Sequence, residues 1–165
     1  MKATLHLVLT GPAGTVLDER RAHNTVMASG ARLIADLFAG NRAGITHMGV
    51  GTDDDAPEDV GVTALTNGGG DDAALTGATT AAIPATAFTA TLVEERRVVR
   101  VRVRATLPND AAVGRIREAG LVSQGDGEPV LYNRVVFAPV DKGDDHELTL
   151  FWEVEFPYGD LQWLT

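Results

Sequence analysis

Apolar and polar side chains alternate with period two through much of this chain, most densely in its last third. Leu148, Leu150, Trp152, Val154 and Phe156 fall on one face of an extended segment, opposite Thr149, Glu153 and Glu155. Phe151 is the one apolar residue out of phase. The pattern predicts a half-buried antiparallel strand with Trp152 turned into the core. Over 130–138, Leu131, Asn133, Val135 and Phe137 share a face opposite Tyr132, Arg134 and Val136. A further strand is expected at 113–123, ending in Ala119-Gly120-Leu121-Val122. Loops at 125–127 and 141–145 carry the Gly and Asp that tight reversals need, so the three strands read as a meander.

Upstream, Ala3, Leu5, Leu7 and Leu9 oppose Thr4 and His6, and Gly11-Pro12-Ala13-Gly14 turns the chain into a return strand at 15–21. His23-Asn24-Thr25 offers short polar side chains to cap a helix expected at 26–39. There Leu33 and Leu37, and Gly30, Ile34 and Phe38, recur at helical spacing, and Gly40 follows as a left-handed cap. Gly30 costs about 1 kcal/mol against Ala in an exposed helix, which predicts close approach to a strand or sheet. The segment 45–51 reads as a short strand whose Gly49 and Gly51 let backbone run tightly under that helix. Periodicity then lapses, and 52–85 reads as a long surface excursion with at most a short strand near 76–80. Loops of that length are functional or disordered, so this segment is expected to touch another molecule. A second hairpin follows at 86–94 and 97–107. On its second arm Arg100, Arg102 and Arg104 form a row opposite Val99, Val101 and Val103. Pairing with Glu153 and Glu155 on another strand is expected to occupy the arginines, in preference to an anion site.

These elements add up to a mainly β (α+β) fold: an antiparallel β-sandwich of about seven to eight strands with one packed α-helix. Residues 1–165 form a single domain, with the excursion at 52–85 and a C-terminal tail at 158–165.

Composition narrows the function. The net charge of −9 disfavours nucleic acid, whose recognition needs a basic face. No apolar run reaches the roughly 18 residues of a membrane span, and no signal-peptide pattern follows Lys2, so synthesis in the cytoplasm is expected. Cysteine is absent, which removes disulfides and thiolate metal sites. Ser29 and Ser123, the only serines, sit in no nucleophile elbow, and Gly68-Gly69-Gly70 lacks the strand and helix of a phosphate loop. His6, His23, His47 and His146 have no metal-ligand spacing. Asp53, Asp55, Glu58 and Asp59 are weak calcium candidates without EF-hand spacing. No catalytic residue, metal or cofactor is therefore assigned, and an enzyme is the least supported class.

The order of short motifs is more telling. Asn24-Thr25-Val26 with Gly30 and Leu33-Ile34-Ala35 precedes Met48-Gly49-Val50-Gly51-Thr52, Ala56-Pro57 and Thr63-Ala64-Leu65. Glu118-Ala119-Gly120-Leu121, then 131–142 from Leu-Tyr-Asn-Arg to Val-Asp-Lys, then 148–156 with its central Trp152 complete the series. In this order the chain, 66–95 apart, resembles small structural proteins of bacteriophage tails and phage-tail-like contractile injection systems. It departs at Met27, where a small polar cap is usual, and at Asn67-Gly68-Gly69-Gly70, which replaces an acidic-Arg element. The resemblance implies a non-enzymatic structural subunit at the tail, baseplate, collar or fibre attachment of an assembled particle. Its partners would be copies of itself and sister subunits, with no nucleic acid and no membrane. Tyr158, Leu161, Trp163 and Leu164 are the expected interface anchors, since aromatics dominate interfaces. The alternative is a carbohydrate- or receptor-binding module presenting Trp152 or Trp163 on an exposed platform.

Overall fold

The computed structural model of the protein describes residues 2–40, 44–69, 73–125 and 127–159. In chain order the elements are β1 (Lys2–Thr10), β2 (Val16–His23), β3 (Thr25–Val26), α1 (Ala28–Phe38), β4 (His47–Gly51), β5 (Thr80–Ala82), β6 (Phe88–Val93), β7 (Val98–Leu107), β8 (Gly114–Ser123), β9 (Val130–Leu131), β10 (Asn133–Lys142) and β11 (Glu147–Pro157). They form two antiparallel sheets, ordered β2-β1-β11-β7-β6 and β3-β10-β8-β4-β5, with β9 paired to the end of β8. This is the expected sandwich, with three more strands than the eight the alternation marks. The additions, β3, β5 and β9, have only two, three and two residues, too few for a period to show.

The faces follow the alternation. Leu5, Leu7, Leu148, Leu150, Trp152 and Leu107 of the first sheet meet Met48, Val50, Ile116, Leu121 and Val135 of the second in one buried cluster. Sheet packing of this kind buries alternate residues of both inner faces. Leu33 of α1 joins the same cluster.

The meander is corrected. β8 and β10 are antiparallel neighbours, but β11 crosses to the other sheet and pairs with β1 and β7. Period two fixes which face of β11 is buried and says nothing about its partners. Cross-strand chemistry specifies them: in the observed register Glu153 lies opposite Arg102 and Glu155 opposite Arg100.

The helix start is corrected too. Met27 is the N-cap and supplies no side-chain hydrogen bond, while the buried amide atoms of Asn24 have no partner among the described residues. Acceptors distant in sequence do the capping instead. The Met27 N–H donates to the Tyr132 carbonyl at 3.1 Å, the Ala28 N–H to the Val60 carbonyl at 2.9 Å, and Ser29 Oγ to the Leu131 carbonyl at 2.7 Å. A Cβ on Gly30 would run into the Tyr132 carbonyl, which accounts for glycine there. Gly49 and Gly51 do not lie under α1. A side chain on Gly49 would meet Leu65, and one on Gly51 would meet Glu118 and the Thr66 carbonyl, so it is the loop after β4 that presses on them.

Candidate functional site

That loop turns the outer face of the second sheet into an interior. On β8 and β10, Glu118 and Arg134 sit side by side, each about 1% exposed. Arg134 Nε donates to Glu118 Oε2 at 2.6 Å, and Nη2 donates to Asp53 Oδ2 at 3.0 Å. Its Nη1 donates to the carbonyls of Asp55 at 3.0 Å and Ala56 at 3.3 Å. The other Glu118 oxygen accepts the Thr66 N–H at 2.7 Å. Thr52 and Thr66 close the neck of the loop, with the Thr52 N–H on the Thr66 carbonyl at 2.8 Å. Thr52 Oγ1 in turn accepts the Gly68 N–H at 2.9 Å. A planar guanidinium with fixed donors is suited to such a multiply bonded buried position. Burial holds the Glu118 carboxyl above its ordinary range, outweighing the Thr66 N–H and the Arg134 guanidinium, which pull it down.

The excursion is thus half lid. Residues 52–69 are latched to the sheet, Val60 reaches α1, and Leu75 and Ile83 are buried in the core. Near the expected 76–80 strand, Thr76 bridges Val113, and the regular strand begins at Thr80.

Of the calcium candidates, Asp53 and Asp55 come together with Asp54, their carboxylates within 4.8 Å of one another; Glu58 and Asp59 are not in that group. Arg134 already pairs with Asp53, Arg117 Nη1 reaches Asp54 at 2.7 Å, and Asp59 Oδ1 accepts the Gly61 N–H. Asp53 and Asp54 are thus engaged by sheet arginines, and Asp59 by its own loop.

The first sheet's outer face has no such lid among the described residues, although Thr149 and Glu155 on it are buried beneath their neighbours. Glu155 accepts two hydrogen bonds from Arg96 at 2.7 Å and one from Arg100 Nη2 at 3.0 Å, and Glu153 pairs with Arg100 and Arg102 at 3.1 and 3.0 Å. Arg104 lies 5.8 Å from the centre of the Phe151 ring, and His6 stacks on the same ring at 5.7 Å. The arginine row is therefore occupied by cross-strand neighbours, as its spacing predicted. A groove of about 410 Å³ on this face is lined by paired groups, His6, Arg102 and Glu153 among them. A cleft of about 500 Å³ beside the lid is lined by Leu65, Asn67, Gln124 and Leu131, with Glu128 its single titratable side chain. Neither sets an acid beside a free base.

Trp152 is buried at 1% exposure, so it forms no platform for a sugar. Tyr158 is 37% exposed and its N–H donates to the Arg97 carbonyl at 3.0 Å. Leu161, Trp163 and Leu164 lie outside the described residues. Among the described residues no helix is long and apolar enough to cross a membrane.

The Glu118–Arg134 latch was missed from sequence, although a signal existed. Arg134 sits between Tyr132 and Val136 on a face otherwise without charge, a sign that something covers it. No family model, curated protein or solved structure matches the chain.

Proposed function

We propose that the chain is a non-enzymatic structural subunit of a phage tail or phage-tail-like contractile injection particle, acting through contacts with copies of itself and with sister subunits. The observation that carries this reading is the convergence of the motifs at one place. Gly51-Thr52, Leu65-Thr66, Glu118 and Arg134 come from four separated stretches and meet at the latch. Their shared task there is mechanical: a buried ion pair ties a lid to a sheet, leaving the charged groups no substrate to act on. Such a part presents a shaped, stiff surface, which is what assembly needs.

Light scattering and negative-stain microscopy of the purified chain, alone and co-expressed with the products of adjacent genes, test the reading. Rings, fibres or stable co-complexes are expected. A chain that stays monomeric in every combination would refute it.

A further inference from the structure

Among the described residues four strand edges bound the two sheets: β2 and β6 on the first, β3 and β5 on the second. An exposed edge is a template for another strand unless something blunts it. β3 and β5, at two and three residues, are too short to serve. β2 carries Asp18, Glu19, Arg20 and Arg21 along its length, the kind of charge that discourages strand addition. β6, Phe-Thr-Ala-Thr-Leu-Val, has no charge, no proline and no bulge. Among the described residues it pairs with β7 alone, and Thr89 to Leu92 are exposed.

The face beside this edge is apolar. Leu92 lies opposite Val99, and Val99 opposite Phe156, so the row runs across three strands. Leu92 at its rim is 54% exposed.

We infer that β6 is a self-pairing edge whose occupant is β6 of a second copy, antiparallel about a two-fold axis through Thr91; the inference rests on the structural-subunit reading and names its contact. In that register Leu92 faces the partner copy's Ala90 and Val93 its Thr89, each twice. Two apolar rims thereby merge into one strip on the same side of a continuous ten-stranded sheet. Charge favours this occupant. Two copies of a chain of net charge −9 repel at most surfaces. Here Glu94 and Glu95 come beside Phe88 and Ala87 of the other copy, and no two like charges are opposed. A two-fold contact of this kind is self-complementary and closes on itself.

The chain has no cysteine, which makes the test direct. Thr91→Cys in the full-length protein places two thiols opposite each other, with Cβ atoms about 4.5–5.5 Å apart, which a strand adjustment of up to about 1 Å brings within the reach of a disulfide on mild oxidation. A covalent dimer is expected from Thr91→Cys, and none from Val16→Cys on the β2 edge. Leu92→Lys is expected to weaken dimerisation by about tenfold or more in sedimentation equilibrium, with an unchanged unfolding midpoint at concentrations where the unaltered chain is monomeric, because Leu92 is exposed there. A dimer indifferent to both β6 substitutions overturns the inference, as does cross-linking through Val16→Cys instead. So does an oligomer abolished by serine at Leu161, Trp163 and Leu164 but untouched by Leu92→Lys, although the structural-subunit reading then stands. That reading falls separately, if the unaltered chain joins neither itself nor the products of adjacent genes.

Discussion

The two sheets solve the same problem on their outer faces in opposite ways. The first leaves most of its outer face in water and pairs Arg96, Arg100 and Arg102 across strands with the half-exposed Glu153 and with Glu155, which the arginines cover. The second covers part of its outer face with residues 52–69 and pairs the buried Arg134 with the buried Glu118 and the partly exposed Asp53. Identical chemistry therefore carries different weight. Exposed ion pairs contribute little because water and salt screen them, whereas a buried pair must be kept whole once formed.

Breaking the buried side has the largest expected effect. Arg134→Met leaves Glu118 without its cation, which should cost about 3–5 kcal/mol in urea unfolding and speed proteolysis within 53–66. Adding Glu118→Leu should recover part of that loss, since it removes the buried uncompensated carboxylate while the partly exposed Asp53 and the Thr66 N–H stay without their partners. A loss below about 1 kcal/mol for the single change would remove the distinction between the two faces.

Next in size is a titration. Burial pushes the Tyr132 phenol up from 10.0 to about 12. The unfolded chain loses that proton first, so stability is intact below pH ~10 and should fall by about 2–3 kcal/mol as pH rises toward 12. Urea midpoints across that range should flatten in Tyr132→Phe.

The open side should yield less. Glu155, lying under two arginines, should cost about 1–2 kcal/mol as Glu155→Gln. The more exposed Glu153→Gln should cost under about 1 kcal/mol and nothing measurable in molar salt.

The smallest effect is one of sign. At the exposed Asp141, the hydrogen bond from Arg115 holds the carboxyl below its usual range, so its contribution is present at neutral pH and lost as pH falls. Glu118, held high, behaves inversely: its contribution is greatest in acid and declines as pH rises past the ordinary carboxyl range. Carboxyl NMR titration of the two residues should show the opposed shifts.

What could be read from the sequence divides along the same line. The open sheet was legible, because alternation places Arg100, Arg102, Glu153 and Glu155 on one face and leaves them to find each other. Trp152 was legible as core for the same reason. The covered sheet was not. A lid of Asp, Gly and Thr has no period, and its attachment depends on Glu118 and Arg134, which come into contact only in three dimensions. Gly49 and Gly51 announced a close approach, but the neighbours are Leu65, Thr66 and Glu118 and not the expected helix. Apart from β7 and β11, whose charges match, strand partners were hidden, since a pattern along one strand carries no address for the next.

The place of β11 has a consequence for synthesis. It lies at the middle of its sheet, bonded to β1 on one side and β7 on the other, yet it is made after every other strand among the described residues. Until residues 147–157 emerge, β1 and β7 lack the strand that lies between them, and the apolar face of each is without that neighbour. That interval is when a chaperone, or a premature neighbour, would find the most to hold.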